Sequence, residues 1–195
     1  MTIDDKVLPH WFMGNAALLK VEFHDGKAYA MYKFVETPAY KRDIATKKLS
    51  RPSPLYGLLK SYIGIKFDPA LINSANTSVL RQPNSDKFYT LYEGGLPYEM
   101  SEKELKEKDF TNFGFVQKGF SAHPKIDPDN GDIYNIGFNM GTFDVWRMTK
   151  DFKLIAKNNI KLRVNQSIHD CCLAGDYLVV FENPLKLDMW KLMKA

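Results

Sequence analysis

The chain has 195 residues, of which 45% are hydrophobic and 13% aromatic, and 27 basic against 23 acidic side chains leave a net charge of +4. This length and apolar content predict one folded domain over residues 1–195 and exclude a disordered chain. The small charge surplus, without an aromatic and basic nucleotide-binding motif, argues against nucleic acid as a partner. The sequence contains no run of 18 apolar residues, so no bilayer-spanning helix is predicted. The first residues also lack a secretory signal pattern, and we therefore expect a cytoplasmic location.

Strand signals dominate the first half of the chain. Two apolar runs, over residues 18–23 and 28–35, flank an Asp25-Gly26 dipeptide, a pattern typical of a β-hairpin. A second strand pair is predicted over residues 78–82 and 88–93, on either side of a Pro-Asn-Ser-Asp turn.

One segment between these pairs has helical periodicity. Its apolar residues recur at i, i+3, i+4, i+7 and i+8, and they are Leu55, Leu58, Leu59, Tyr62 and Ile63. This spacing predicts a short amphipathic helix. Basic residues lie just upstream, and a basic cluster beside an apolar stripe favours contact with a membrane surface. The alternative is a helix that covers the β-structure with its apolar face inward.

The second half again predicts strands. They lie over residues 133–139, over residues 142–148 with a partner near 153–156, and over residues 176–182. A capping-box pattern, Ser-Glu-Lys-Glu at residues 101–104, predicts a charged, solvated turn with no catalytic role. Short strands at regular spacing, joined by Asp, Asn and Gly turns, predict an all-β sandwich, barrel or propeller.

Two histidines stand in distinctive local sequences. His123 lies in Ala-His-Pro-Lys-Ile-Asp-Pro and His169 in Ser-Ile-His-Asp, at positions that are 46 apart. This interval is close to the roughly 40–50 residues of one four-stranded propeller blade. One imidazole per blade, pointing at a common axis, would form part of a metal centre, so the spacing favours the propeller.

Two adjacent cysteines, Cys171 and Cys172, follow the second of these histidines. Neighbouring cysteines rarely form a disulfide, because the bond needs well-separated Cα atoms, and a reduced compartment is therefore expected. We interpret both as small apolar side chains. A zinc site formed by His123, His169 and the two thiolates is the open alternative.

Several segments resemble, in the same order, the carotenoid cleavage oxygenases, a family that includes apocarotenoid oxygenases, stilbene-cleaving dioxygenases and the retinal pigment epithelium isomerase. Leu-Tyr-Glu-Gly-Gly-Leu-Pro-Tyr-Glu at residues 91–99 is similar to the family's Trp/Tyr-Glu-Gly-Gly-Leu-Pro segment. Residues 120–128 resemble the segment with the first iron ligand, and residues 168–170 with 175–184 resemble the segment with the second.

The resemblance implies a seven-bladed β-propeller with Fe(II), that is Fe²⁺, on its axis, held by four histidines. By position, His123 and His169 would be the first two ligands, and Glu93 a carboxylate that hydrogen-bonds a ligand histidine. The implied reaction inserts O₂ across a conjugated double bond of a carotenoid, apocarotenoid or stilbene. The predicted helix over residues 55–63 falls at the family's lipid-facing patch, so a peripheral membrane location is expected.

The sequence departs from this family in its number of ligands. The remaining two of its four histidines, His10 and His24, precede His123, whereas the family's third and fourth ligands follow the second. At about 45 residues per blade, 195 residues form about three to four blades. We therefore expect an N-terminal portion of such a propeller, inactive until another segment or a second chain supplies the missing ligands. The alternative is a non-catalytic relic that binds apolar polyenes or a partner chain.

Overall fold

The computed structural model describes residues 14–47, 73–117, 119–139, 141–163 and 168–182. Within these ranges lie one α-helix and twelve β-strands, and every strand pair is antiparallel. The strands form two four-stranded sheets and two two-stranded sheets.

The chain begins with the predicted hairpin. Strands β1 (Ala17–His24) and β2 (Lys27–Phe34) pair along their whole length. The turn residues Asp25 and Gly26 both have positive φ, 51° and 72°. A two-residue turn of this hand matches the right-handed twist of paired strands, which explains why the Asp-Gly signal predicts the hairpin correctly.

Helix α1 (Pro38–Thr46) follows the hairpin, and the sequence analysis did not predict it. Thr37 caps it, since its side chain accepts a hydrogen bond from the Tyr40 N–H at 3.2 Å, and Pro38 occupies the first turn. The helix predicted over residues 55–63 lies outside the described residues. The same holds for its five proposed membrane-contact residues, Leu55, Leu58, Leu59, Tyr62 and Ile63.

Two four-stranded sheets follow, each a meander in which neighbours in the chain are neighbours in the sheet. The first contains β3 (Ser78–Arg81), β4 (Lys87–Leu91), β5 (Tyr98–Ser101) and β6 (Lys106–Phe110). The second contains β7 (Lys125–Ile126), β8 (Ile133–Asn139), β9 (Thr142–Met148) and β10 (Leu154–Lys161). The last hairpin pairs β11 (Cys171–Ala174) with β12 (Tyr177–Val180).

These sheets confirm the predicted strand pairs and a mostly-β fold with antiparallel sheets. At the capping-box pattern of residues 101–104 the structure has the end of β5 and the predicted turn, which leads into β6. A four-stranded meander is the unit from which propeller blades are built, so the two successive meanders are consistent with a propeller. Seven blades, a closed ring and a single domain over residues 1–195 stay predictions.

A shared core joins the two four-stranded sheets. It packs Leu80, Tyr89 and Leu91 of the first sheet against Trp146 and other residues of the second. Gly137 in β8 allows the Trp146 ring of β9 and the Gly119 carbonyl oxygen of the connecting segment between β6 and β7 to pack against its backbone, because a Cβ there would collide with both. The same core contains Val116, Phe120 and Ala122, and Ala122 leads directly into His123.

Candidate metal centre

Each of the two distinctive histidines lies two residues before the first strand of a sheet. His123 precedes β7, which begins at Lys125, and His169 precedes β11, which begins at Cys171. The structure brings the two imidazoles together from successive sheets, with ring centroids 4.5 Å apart and planes at 69°. The repeat of 46 residues thus corresponds to the same position in two neighbouring sheets.

Backbone and side-chain hydrogen bonds fix the segment that carries His123. The Phe120 N–H donates to the Gly95 carbonyl at 3.1 Å, and the Ser121 N–H donates to the Ile136 carbonyl at 2.8 Å. The buried Asn135 amide donates to the Ser121 carbonyl at 2.9 Å. The approach to His123 is therefore fixed to both four-stranded sheets.

Glu93 lies in the tight turn after β4. The Gly95 N–H donates a hydrogen bond to the Tyr92 carbonyl and so closes this turn. A Cβ at position 95 would collide with the Asn73 side chain, which explains why a glycine is needed there. The turn aims the Glu93 carboxylate at the second histidine, with its Oε2 3.5 Å from the His169 Nδ1.

Two further groups contact the Glu93 carboxylate. The Ser121 hydroxyl donates to Oε1 at 3.3 Å, and the Ala122 N–H donates to Oε2 at 3.4 Å. Burial raises the pKa of Glu93 above its ordinary value, although the His169 ring and these two hydrogen bonds oppose the rise. The carboxylate therefore lies at a partly dehydrated position beside the imidazole.

The two imidazoles differ in their surroundings. The His123 Nε2 is buried and has no hydrogen-bond partner among the described residues. Burial also lowers the pKa of His123, despite the opposing charge of Asp170, and this favours the neutral ring that a metal ligand must present. The His169 side chain is 68% exposed, so the site is open on that side.

An ion pair next to the histidines connects the two sheets that carry them. The Lys125 Nζ lies 2.8 Å from the Asp170 Oδ1, which also accepts a hydrogen bond from the Cys171 N–H at 2.7 Å. Burial raises the pKa of Asp170, but these contacts outweigh it and leave the value below its ordinary level. Asp170 is thus engaged with the lysine and the backbone.

Glu93, His123 and His169 form the group with metal-ligand chemistry in the described part of the chain, with candidate ligand atoms within 4.8 Å of one another. Imidazole nitrogens suit first-row transition metals, and the unpartnered His123 Nε2 is a donor that such an ion would satisfy. No cysteine belongs to this group, and burial raises the pKa of the Cys171 thiol to about 11. The residues present fit a metal bound through nitrogen better than one bound through thiolate.

Ser121 is the functional candidate that sequence reasoning missed. Its hydroxyl contacts Glu93 and the His169 backbone, which are 28 and 48 residues away in the sequence. A serine before Ala-His-Pro has no pattern that reveals such distant partners, so only the folded structure identifies it.

Known proteins are similar to this chain in sequence and in fold. Resveratrol cleavage oxygenase 1 of Botryotinia fuckeliana is 29% identical over 177 residues, which cover 86% of this chain and 30% of that protein. A carotenoid cleavage oxygenase of Mycobacterium tuberculosis (strain H37Rv) is 25% identical over 205 residues, which cover 98% of this chain and 36% of that protein. The solved structure of cobalt-substituted Synechocystis apocarotenoid oxygenase matches with a TM-score of 0.72 and 25% identity, over 91% of this chain and 40% of that one.

The chain spans about a third of the length of the curated relatives it matches. Proteins named as carotenoid-cleaving dioxygenases also match from plants and mammals, at 24% identity for the pea and orangutan enzymes. The family model described as RPE65, retinal pigment epithelial membrane protein, matches residues 2–195, and the chain therefore belongs to this family of carotenoid cleavage oxygenases.

Proposed function

We propose that this chain supplies two ligands, His123 and His169, and an orienting carboxylate, Glu93, to an Fe(II)-dependent dioxygenase that cleaves a conjugated double bond. The observation that carries the proposal is the approach of the two imidazoles to 4.5 Å beside that carboxylate. The relatives support a carotenoid, apocarotenoid or stilbene as substrate, because their names specify carotenoid and resveratrol cleavage.

Two of the three side chains would bind the metal, and the third would orient one of them. Glu93 faces the His169 Nδ1, so the Nε2 of that ring is left to bind the ion. A carboxylate at the far nitrogen fixes the ring's tautomer and orientation and makes the binding nitrogen more basic. The His123 Nε2 is the other donor. When bound, iron would supply the redox chemistry with O₂, and the protein would position the substrate and exclude water.

Two imidazoles do not complete the coordination shell that the family resemblance implies. We propose that the remaining histidines come from another segment or from a second chain, on the exposed side of His169. The isolated 195-residue chain should then bind iron weakly and turn over no substrate. Binding of an apolar polyene without stoichiometric iron would favour the alternative, a relic that binds polyenes or a partner chain without cleaving them.

Anaerobic titration of the chain with Fe²⁺, followed by calorimetry, tests the ligand assignment. We expect one binding site that is lost in both His123→Ala and His169→Ala. His24→Ala is the matched control, because His24 ends the exposed strand β1, and it should bind as the wild type does. Binding that survives both ligand substitutions would contradict the assignment, and so would binding that disappears in Cys172→Ala.

A chimera tests the reaction. The chain would replace the matching N-terminal region of Synechocystis apocarotenoid oxygenase, whose remaining region would supply the other ligands. We expect this chimera to cleave an apocarotenoid or a stilbene into aldehyde products and the same chimera with His123→Ala to be inactive. A folded, metal-loaded chimera that cleaves no substrate of either class would contradict the proposed function.

The proposed lipid contact of residues 55–63 stays a prediction from the sequence pattern. Among the residues that the structure describes, no helix is long and apolar enough to cross a bilayer. Contact of this protein with membrane would therefore depend on that apolar segment and its basic neighbours.

A further inference from the structure

We propose that Ser121 is a positioning residue whose hydroxyl holds the two imidazoles in their mutual arrangement, an inference that rests on the proposed function. Ser121 is 3% exposed and lies two residues before His123. Its hydroxyl bonds none of the candidate ligand nitrogens, so its effect on the site acts through other residues.

Hydrogen bonds of the backbone fix the position of Ser121 independently of its side chain. Its N–H donates to the Ile136 carbonyl in β8, and its carbonyl accepts from the buried Asn135 amide. The preceding Phe120 is held to the Gly95 carbonyl in the turn that carries Glu93. The Ser121 oxygen therefore has a defined position relative to both four-stranded sheets.

The hydroxyl itself contacts all three members of the site. It accepts from the His123 N–H at 3.2 Å, and the two acceptors within its reach, the Glu93 Oε1 and the His169 carbonyl, each lie 3.3 Å from its oxygen. A hydroxyl has one hydrogen to donate and two lone pairs to accept with, so this single group reaches three chain segments. Each of these segments carries one member of the metal group.

This arrangement explains how residues so distant in sequence converge. The His169 backbone carbonyl bonds the Ser121 hydroxyl of the His123 segment, and this contact fixes the backbone from which the second imidazole extends. The same hydroxyl holds the Glu93 carboxylate, which in turn faces the His169 Nδ1 at 3.5 Å. Without the hydroxyl, the Glu93 side chain and the His169 backbone lose their common partner, and the relation of the two rings then rests on the Lys125–Asp170 ion pair and the Ala122 N–H bond.

The test compares Ser121→Ala with a matched control, Ser101→Ala. Ser101 is also buried, and its hydroxyl also bonds a carboxylate, that of Asp86 at 2.7 Å, but it lies at the end of β5 away from the metal group. The first measurement needs no metal: it is the nuclear Overhauser effect between the ring protons of His123 and His169. The second is the affinity of the chain for Co²⁺.

We expect Ser121→Ala to weaken the ring-to-ring effect several-fold and the Co²⁺ affinity about tenfold, as losses of outer-sphere partners typically do. Ser101→Ala should leave both unchanged even if it lowers the stability as much. Ser121→Thr, which keeps the hydroxyl, should restore both. If Ser121→Ala retains both values, or if Ser101→Ala reduces them equally, the positioning role is refuted.

Two further outcomes separate this inference from the proposed function. If the wild-type chain binds no Co²⁺, the metal assignment fails, and the ring-to-ring effect alone decides the role of Ser121. If Ser121→Ala does not fold, Ser121→Cys replaces it, because a thiol is a weaker donor of similar size. A wild-type ring-to-ring effect in that variant would equally refute the positioning role.

Discussion

Gly137→Ala should destabilise the chain because β8 lies against the Trp146 ring of β9 and the connecting segment at this glycine. A Cβ at position 137 would overlap the Trp146 ring and the carbonyl oxygen of Gly119. Trp146 is 1% exposed in the shared core, and a backbone oxygen cannot rotate away as a flexible side chain can. The added methyl therefore forces a shift of β8 against β9 or against the connecting segment.

Overpacking of a well-packed core typically costs 1–3 kcal/mol, and two rigid neighbours put this case at about 3 kcal/mol. With a urea m-value of about 2 kcal/mol/M, the unfolding midpoint should fall by about 1.5 M. The intrinsic fluorescence of the chain reports the transition, since Trp146 is buried in the core that the added methyl would disturb.

Gly94→Ala is the matched control for this experiment. A Cβ at Gly94 would meet only the Tyr92 ring, at an ordinary contact distance of 3.5 Å. We expect its midpoint to lie within about 0.3 M of the wild type, which is about 0.5 kcal/mol. Equal midpoints for Gly137→Ala and the wild type would refute the close packing of β8 against Trp146 and the segment before His123.

The remaining predictions concern other parts of the chain. Glu107→Gln should cost about 1 kcal/mol at pH 7 in urea unfolding, because Glu107 bonds the Lys33 ammonium at 3.0 Å. Burial raises the pKa of Glu107, but this bond and the others outweigh it, so the value is lowered; the difference should be present above pH 5 and vanish as the pH falls below the folded-state pKa. Thr37→Ala should cost about 1 kcal/mol through the lost helix cap and Thr37→Ser should not, as unfolding followed by circular dichroism would report. Paired Leu58→Asp and Leu59→Asp should abolish sedimentation with anionic vesicles, and wild-type binding by this variant would contradict the lipid contact.

The elements that the sequence predicted correctly are those whose signals are local. The Asp25-Gly26 turn requires two positive φ values, which few other residue pairs supply. This dipeptide between two apolar runs is therefore enough to predict the first hairpin. The His123 and His169 segments could be identified for a related reason, since each precedes the first strand of a sheet and the sheets repeat along the chain.

Two of the elements that the sequence analysis missed, β6 and α1, lack a clear apolar periodicity. Strand β6 reads Lys-Glu-Lys-Asp-Phe and lies at the edge of its sheet, where charged side chains remain in water, so no alternation marks it. Helix α1 contains only a weak apolar stripe, and its signal was instead the Thr37 cap followed by Pro38. The Ser121 contacts could not be predicted at all, because they depend on how two sheets pack.

X-ray absorption of the chain loaded with Zn²⁺, a redox-inert probe, tests most directly whether His123 and His169 share one ion. The account predicts two imidazole nitrogens at about 2.0–2.1 Å, with one lost in His123→Ala and one in His169→Ala. A sulfur neighbour at about 2.3 Å, or an imidazole count that neither substitution changes, would contradict it.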